Sequence, residues 1–248
     1  ISTGNFHEGN ARMYTDYTIM TAHRPLVREV NAVFDFIEKP YTPVNFKELL
    51  VSPNDMRKRL IALINKEIKN KEQGKEAYIL AKVNHITDHA LIEKLYEAST
   101  AGVQVELVVR GNCSLVTGIA GISENIHING IIDRYLEHSR IFIFANGGEE
   151  KYYIGSADWM PRNLDNRIEV LAPVYDKDVQ ADLKRIVCYG YRDTAKGRIV
   201  DGTGENRPWE NRPSTLCKDF TPALAEAETA TVVFRSQEEL YRKYKNTL

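Results

Sequence analysis

A histidine and an arginine lie two residues apart at the start of an apolar run. His138 and Arg140 open the segment RIFIFAN (140–146), which the sequence predicts to be a β-strand. Because side chains alternate along a strand, both should lie on one face. An imidazole can be a nucleophile or a proton donor, and a guanidinium can bind two phosphate oxygens at once. The pair therefore suits phosphoryl chemistry, with a histidine on a sheet edge as the alternative interpretation.

Two further arginines lie where strands begin or end. Arg110 closes the apolar run VQVELVVRG (103–111), and Gly111 after it allows close approach of the backbone. Ligands of α/β sheets bind beyond the carboxyl ends of parallel strands, so Arg110 is a candidate anion ligand or a solvated strand end. Arg167, near the start of a later strand, is a weaker candidate on the same logic. Together they could form a phosphate pocket.

Several familiar sites are excluded or disfavoured. The segment GNCSLVTG (111–118) lacks the Lys-Ser/Thr of a P-loop, and no GxGxxG occurs. His85 and His89 are four residues apart but have no third ligand nearby, which disfavours a metal site. Tyr14 follows a polar segment and is a candidate either for stacking on a base or for packing.

Composition narrows the function classes. The chain has 248 residues, 43% hydrophobic and 27% charged, with Lys+Arg 33 against Asp+Glu 34 and a net charge of -1. This balance argues against a general nucleic-acid binder, although a local basic pocket is possible. No apolar run approaches the roughly 20 residues of a membrane span. Cys113, Cys188 and Cys217 are widely spaced, so no disulfide framework is predicted and a reducing cytoplasm is the expected compartment.

The elements that must position these residues alternate between helices and strands. The predicted helices cover 24–38, a segment from Ser52-Pro53 towards Gly74, 88–100 and 176–190. The predicted strands cover 77–84, 103–111, 140–146, 151–156 and 166–174. Residues 41–51 are interpreted as a linker, 111–130 as a glycine-containing loop, and 201–230 as a mobile or docking tail before a helix at 236–246. The β-α-β order of 77–111 predicts a parallel pair.

The chain contains an internal repeat. Residues 1–16 (ISTGNFHEGNARMYTD) align without gaps on residues 154–169 (IGSADWMPRNLDNRIE), and the two copies share similar residues at several positions. Residue 1 is isoleucine, and no signal peptide follows. We therefore expect a fragment of a longer protein with two related halves, the first of which is almost entirely absent.

Five sequence blocks resemble the C-terminal catalytic region of bacterial polyphosphate kinases. The blocks are STGNFHEGNARMYTDY (2–17), LVVRGNCSL (107–115), GISENI (121–126), IIDRYLEHSRIFIF (131–144) and SADWMPRNLDNRIEV (156–170). The resemblance covers about residues 1–200 and implies an α/β fold, a phospholipase D-like mixed sheet flanked by helices. One half would be complete and preceded by the end of a similar half. The implied boundaries are 1–50 for the end of the first catalytic domain, 51–200 for the second domain and 201–248 for a tail.

The resemblance also implies an activity. Such enzymes transfer the terminal phosphate of ATP reversibly to inorganic polyphosphate through a phosphohistidine, with Mg²⁺. We accordingly expect ATP, ADP and polyphosphate as partners, a cytoplasmic location, no nucleic acid and a homo-oligomeric full-length enzyme.

Individual residues match positions of known role in that family. His138 matches its second essential histidine, a general acid/base or stabiliser. Tyr14, Arg110 and His138 match ATP-contacting positions, and Arg167 matches a phosphate-binding arginine. The phosphorylated histidine would lie upstream of residue 1, so the chain alone is expected to be inactive.

Two alternatives stay open. A phospholipase D-like phosphodiesterase is disfavoured, because Arg140 and Ala145 stand where its motif requires lysine and aspartate. A polyanion-binding module without catalysis is the other alternative.

Overall fold

Ten strands and six helices are present in the computed structural model, which describes residues 1–210, 214, 216–220 and 233–245. The strands are β1 (Tyr14–Thr15), β2 (Leu50–Ser52), β3 (Tyr78–Val83), β4 (Gln104–Val109), β5 (Ile126–Ile131), β6 (Leu136–Glu137), β7 (Arg140–Phe144), β8 (Lys151–Gly155), β9 (Glu169–Val174) and β10 (Gly197–Ile199). The helices are α1 (Glu8–Ala11), α2 (Arg24–Glu38), α3 (Met56–Glu72), α4 (His89–Thr100), α5 (Lys177–Tyr191) and α6 (Ser236–Lys245).

Eight of the strands form one mixed sheet in the order β10-β5-β4-β3-β7-β8-β9-β2. Strands β3, β4 and β5 run parallel, and the remaining neighbours pair antiparallel. Strands β1 and β6 form a separate parallel pair. The predicted mixed α/β sheet flanked by helices is confirmed, and so is the parallel pair formed by β3 and β4.

The central strands bury apolar side chains on both faces of the sheet. On β3, Ile79, Ala81 and Val83 pack with the apolar residues of α3 and α4, whereas Tyr78 and Leu80 pack with those of α5. This is the period-2 alternation of a strand covered on both sides. No helix in the described part of the chain is long and apolar enough to cross a membrane.

The predicted linker at 41–51 is wrong in its second half. Phe46 and Leu49 are buried against α2, and Leu50–Ser52 form the edge strand β2. The predicted helix start at Ser52-Pro53 is also wrong, because α3 begins at Met56. Ser52 does not cap a helix; its single O–H is shared between the carbonyls of Asn163 (2.7 Å) and Arg167 (2.9 Å), which ties β2 to the segment before β9.

The predicted loop at 111–130 contains a central strand. Strand β5 (Ile126–Ile131) pairs parallel with β4, although its sequence IHINGI includes polar Asn129 and Gly130. The Nδ2 of the buried Asn129 lies 3.1 Å from three carbonyls that share its two N–H donors, those of Gly190, Tyr191 and Asp193, whereas its Oδ1 has no hydrogen-bond partner among the described residues. A polar side chain whose N–H donors are bonded can therefore occupy a buried strand position that the sequence pattern assigns to a loop.

A disulfide joins Cys188 of α5 to Cys217, whereas the sequence analysis predicted no disulfide framework. Their Cα atoms are 5.3 Å apart, and both residues are buried. The pair is separated by 29 residues, so sequence spacing alone carries no sign of it.

The described part of the tail is docked on the domain. Trp209 is 3% exposed and packs edge-on against Tyr191, with 5.1 Å between ring centroids. Arg198 and Pro208 form an isolated β-bridge. The final helix is present as α6, and residue 246 of its predicted range lies outside the described residues, as do residues 221–230 of the predicted tail.

The buried Glu106 of β4, which contacts Ser214 of the tail, provides a test of how the tail packs on the sheet. Its side chain on β4 is 4% exposed and accepts a hydrogen bond from Ser214 (2.6 Å), and burial raises its pKa from 4.5 to about 7. Between these values the folded state binds more protons than the unfolded state, so this group lowers stability as pH rises from 4.5 to 7. We expect Glu106→Gln to raise the free energy of unfolding at pH 8 by about 1 to 3 kcal/mol.

The measurement is urea unfolding at pH 5 and pH 8, where the variant should differ from the native protein mainly at pH 8. The exposed Glu38 of α2 gives the control Glu38→Gln, which should show no such pH dependence. A Glu106→Gln protein that is less stable at pH 8 would contradict this account.

Candidate active site

Four polar side chains meet at the edge of the sheet where the parallel strands end. Asn84 follows β3 and Arg110 follows β4. Strand β7 is antiparallel to β3 and strand β8 is antiparallel to β7, so the start of β7 and the end of β8 lie at the same edge. His138 precedes β7 and Asp158 follows β8. His138 was predicted to lie on the strand, but the strand begins only at Arg140.

The buried carboxylate of Asp158 binds two elements together. It is 4% exposed and accepts hydrogen bonds from the backbone N–H groups of Asn84 (2.7 Å) and His85 (3.3 Å). It also accepts from Arg140, at 2.9 Å from Nη2 and 3.3 Å from Nε. Burial raises the pKa of Asp158, but Arg140 and these hydrogen bonds outweigh it, so the pKa is lowered and the group is ionised.

The guanidinium of Arg140 binds groups of the protein itself. Its Nε and Nη2 bind Asp158, while its Nη1 donates to the carbonyls of Thr3 (2.8 Å) and His138 (2.9 Å). The predicted bidentate phosphate clamp at Arg140 is therefore wrong, because a carboxylate already occupies the fork of this 8% exposed residue. Arg140 instead fixes the backbone at His138, and its Nη1 lies 3.2 Å from His138 Nε2.

The imidazole of His138 is held on two sides. Its Nδ1 lies 2.8 Å from Asp16 Oδ1, and the ring of Tyr14 stacks on it with 4.8 Å between centroids. An ionised carboxylate can only accept a hydrogen bond, so Nδ1 carries a proton. The lone pair of the neutral ring is then on Nε2, and the side chain is 20% exposed. His138 can therefore present Nε2 to a substrate, as acceptor when neutral or as donor when protonated.

A short parallel ladder brings the N-terminal segment to His138. Tyr14 pairs with Leu136 and Thr15 pairs with Glu137 in the two-stranded sheet. The backbone N–H of His138 donates to Thr15 Oγ1 at 3.3 Å. Tyr14, predicted as a site residue from its polar surroundings, thus contacts the predicted catalytic histidine across 124 positions of sequence.

Asp16 occupies a closely fitted position. Thr3 Oγ1 donates to Asp16 Oδ1 at 2.6 Å, beside the bond to His138. A Cβ atom at Gly4 would lie 2.1 Å from Asp16 Oδ2, so only glycine leaves room for the carboxylate there. Burial raises the pKa of Asp16, but the hydrogen bonds from His138 and Thr3 and the charges of His138 and Arg140 lower it overall. Asp16 is therefore available as a fixed anion beside the imidazole.

The internal repeat is visible in the hydrogen bonding. Ile1 aligns with Ile154, an offset of 153 residues. Thr3 N donates to the Tyr17 carbonyl at 3.0 Å, and Tyr17 N donates to Thr3 Oγ1 at 3.0 Å. At the same offset, Ser156 N donates to the Val170 carbonyl at 3.1 Å, and Val170 N donates to Ser156 Oγ at 3.4 Å. The two copies therefore share a local fold as well as similar residues.

The repeat also pairs two carboxylates. Asp16 bonds to the hydroxyl of Thr3, and its counterpart Glu169 bonds to the hydroxyl of Ser156. Glu169 is 9% exposed and accepts from Asn163 Nδ2 at 3.1 Å. Burial raises its pKa. Each copy thus carries a carboxylate at the same place, and Asp16 is the one that touches His138.

Arg110 reaches the site through Asn84. Its Nε donates to Asn84 Oδ1 at 3.1 Å, while Asn84 Nδ2 donates to the carbonyl of His138 at 3.3 Å. Burial and the charge of Arg140 lower the pKa of Arg110, yet a guanidinium stays charged. Arg110 and His138, both predicted site residues, are therefore brought together by one amide, and no described residue forms a hydrogen bond with Nη1 or Nη2 of Arg110.

Arg167 lies further out. Its side chain is 56% exposed, and its Nη1 is 3.8 Å from Glu169 Oε1. Among the described residues, it has no contact with His138 or Arg110. Its phosphate-binding role stays a prediction.

The two spaced histidines do not form a site together. His85 Nδ1 accepts from the backbone N–H of Asn112 at 2.9 Å, whereas His89 is 86% exposed beside Glu93. In the described ranges of the chain, no group of three or more histidine, cysteine, aspartate or glutamate side chains could hold a metal ion.

Sequence reasoning missed the residues that orient the site. Asp16 contacts His138, and Asn84 contacts both His138 and Asp158, across 54 to 122 positions of sequence. One signal was available, because Asp16 faces Glu169 in the repeat alignment and two carboxylates at matched positions indicate a shared role. Asn84 and Asp158 carry no comparable pattern.

Two family models match the chain. Polyphosphate kinase C-terminal domain 1 matches residues 1–43, and Polyphosphate kinase C-terminal domain 2 matches residues 49–218. Polyphosphate kinase from Vibrio vulnificus (strain YJ016) is 49% identical over 201 residues, which is 81% of this chain and 29% of that protein. Polyphosphate kinase from Escherichia coli (strain K12) is 47% identical over 234 residues, 92% of this chain and 34% of that protein.

Solved structures agree with these matches. The crystal structure of polyphosphate kinase from Porphyromonas gingivalis superposes with a TM-score of 0.86 at 39% identity, over 100% of this chain and 35% of that chain. The chain thus spans about a third of the length of the relatives it matches.

The fit of Asp16 against Gly4 can be tested directly. We expect Gly4→Ala to displace the Asp16 carboxylate, break its bonds to Thr3 and His138, and lower the free energy of unfolding by about 1 to 3 kcal/mol. Urea unfolding measures the loss. The control is Gly9→Ala on α1, where a methyl group meets only the exposed ring of His7 at 3.1 Å. Equal stability of the two variants would contradict the fit described here.

Proposed function

The chain belongs to the polyphosphate kinase family, and we propose that it forms part of a site that transfers the terminal phosphate of ATP reversibly to inorganic polyphosphate. The observation that supports this most directly is His138, whose Nδ1 lies 2.8 Å from Asp16 Oδ1 and whose carbonyl is linked to Arg110 through Asn84. Since the chain spans about a third of its relatives, the activity is proposed for the larger protein. The phosphorylated histidine would come from residues upstream of this chain.

The cations would neutralise the substrate. The transferring phosphoryl group carries charge on its oxygens, so the main demand on the site is positioning and electrostatic stabilisation. Arg110, anchored through Nε, would bind phosphate oxygens with its remaining nitrogens. Arg167, exposed at the rim, would bind a further phosphate, and Tyr14 would pack beside the nucleotide with its outer ring face.

The reaction would proceed in two displacements. An imidazole nitrogen of the upstream histidine attacks the γ-phosphorus of ATP, the bond from phosphorus to the bridging oxygen breaks, and ADP leaves with that electron pair. A terminal oxygen of polyphosphate then attacks the phosphohistidine, the phosphorus–nitrogen bond breaks, and the polymer is longer by one phosphate. Running both steps backwards makes ATP from ADP.

His138 would assist the leaving oxygen. In its protonated state the ring donates from Nε2, and the Asp16 carboxylate at Nδ1 stabilises the resulting imidazolium. The donated hydrogen bond offsets negative charge as the phosphorus–oxygen bond breaks. Arg140 and Tyr14 hold the ring in place for this contact.

The repeat suggests how the other histidine is oriented. Asp16 belongs to the first copy of the repeat and serves His138 of the second half, so its counterpart Glu169 would serve the histidine of the first half. At the offset of 153 residues, a counterpart of His138 falls about 16 residues before Ile1. Each half would then supply one histidine and the carboxylate for the other.

Magnesium would enter with the nucleotide as part of the substrate. The nearby carboxylates are already engaged, Asp16 by His138 and Thr3 and Asp158 by Arg140 and backbone N–H groups. The described residues therefore do not form a resident magnesium site, and no step here depends on one.

The activity is tested first at His138. We expect His138→Ala in the full-length enzyme to lower kcat for ATP formation from ADP and polyphosphate by about 100-fold or more, with the fold intact, because the hydrogen bond to the leaving oxygen is lost. His89→Ala, at an 86% exposed histidine, is the matched control and should leave kcat unchanged. Turnover retained in His138→Ala would refute the role.

Phosphate binding is tested at Arg110. By calorimetry on the 248-residue chain, we expect Arg110→Gln to weaken binding of MgATP and of polyphosphate by about 10-fold or more, since a charge-assisted contact is lost. Arg28→Gln, at an exposed position of α2, is the control and should bind as the native chain does. Binding in which Arg110→Gln matches the control would contradict the assignment of Arg110.

A further inference from the structure

A cavity of about 640 Å³ opens beside Arg110, away from His138. It lies where β4, β5 and β10 meet, and residues 200–206 form its outer wall. Its volume is within the range of roughly 300–1,000 Å³ that ligand sites occupy. Arg110 lines the cavity and also binds Asn84 of the site, so this side chain is common to both.

The cavity is locally basic although the chain has a net charge of -1. Arg110, Lys196 and Arg198 line it, with Asp201 as its one lining carboxylate among the described residues. Asp201 is already neutralised by Arg207 and accepts from Thr203. The lining is therefore suited to an anion.

Two of these cations have their charge available. Arg198 Nη1 donates to the neighbouring Gly197 carbonyl at 2.7 Å, and Lys196 is exposed. In the described part of the chain neither forms an ion pair. The charge of Lys196 contributes to lowering the pKa of Asp133, but both carboxylate oxygens of Asp133 bind Arg235, at 2.6 and 2.8 Å.

The lining favours a phosphate chain over a nucleoside. Its apolar members, among them Ile132, Ile199 and Val200, are aliphatic, and no aromatic ring is present among the described lining residues to stack on a base. A polyphosphate, in contrast, repeats its charge along its length and must continue past the phosphate being transferred. Lys196 and Arg198, which line the cavity with Arg110, could bind the phosphates that follow the one at Arg110.

We propose that this cavity is a subsite for the distal phosphates of polyphosphate, with Lys196 and Arg198 binding the chain beyond the phosphate at Arg110. The inference rests on the proposed function and adds a location and two residues to it. With this subsite, the affinity of the enzyme for polyphosphate would depend on polymer length, because a short acceptor cannot reach both Lys196 and Arg198.

The test is the double variant Lys196→Gln/Arg198→Gln in the full-length enzyme. We expect KM for long-chain polyphosphate to rise by about 10-fold or more, while KM for ATP and for tripolyphosphate stays within about 2-fold. The slope of log Kd for long-chain polyphosphate against log salt concentration should also decrease by about two, because two phosphate contacts and the counterions they release are lost. The control Arg28→Gln/Lys58→Gln removes two exposed charges from α2 and α3 and should change none of these values.

The outcomes separate the subsite from the function. An unchanged KM and Kd for long-chain polyphosphate would overturn the subsite while leaving the kinase activity in place. A parallel rise of KM for ATP would place the nucleotide in the cavity and would also overturn it. If the native enzyme transfers no phosphate, the proposed function fails, and calorimetry with long-chain polyphosphate still decides whether Lys196 and Arg198 bind it; a native enzyme that binds none refutes the subsite too.

Discussion

The ion pair between Asp158 and Arg140 is the interaction on which the site depends. Arg140 binds Asp158 through Nε and Nη2, and its Nη1 donates to two carbonyls. Asp158 also accepts a hydrogen bond from the backbone N–H of Asn84, which follows β3. A buried ion pair of this kind adds little net stability, but losing either partner leaves an uncompensated charge. Its value here is geometric, because it holds the end of β3, the start of β7 and the N-terminal segment in one arrangement around His138.

A second feature of the architecture is that His138 of the second half is oriented by a carboxylate from the first copy of the repeat. The carboxylate that orients His138 comes from Asp16, which lies in the first copy, and it reaches the histidine only because β1 pairs with β6. Gly4 and Thr3 then shape the position of that carboxylate. If Glu169 orients the histidine of the first half as proposed, the duplicated local fold would place one carboxylate beside the histidine of each half.

Much of the fold was predictable from sequence because it depends on short-range patterns. Helix α2, strands β3, β4, β7 and β8 and the repeat all follow from local periodicity or direct self-similarity. Strand β5 was not predictable in this way, because a polar residue such as Asn129 is typical of a loop. The carbonyls that accept from its Nδ2 belong to residues distant in sequence. Arg110, Tyr14 and His138 could be selected by position and resemblance, but Asn84 and Asp158 are defined by hydrogen bonds between segments distant in sequence. The pairing of Cys188 with Cys217 is of the same kind.

The distribution of charge resolves an apparent conflict between the neutral composition of the chain and its proposed polyanionic substrate. A chain with 33 basic and 34 acidic residues has no excess charge with which to attract a polyanion. Its acidic side chains, however, neutralise selected cations, as Asp158 does Arg140, Glu137 does Lys82 and Asp133 does Arg235. Arg110, Lys196 and Arg198 are not among those cations in the described residues, and all three line one cavity. Because a field is set by local imbalance and not by the total, a neutral protein can carry a strongly positive path at the edge of its sheet.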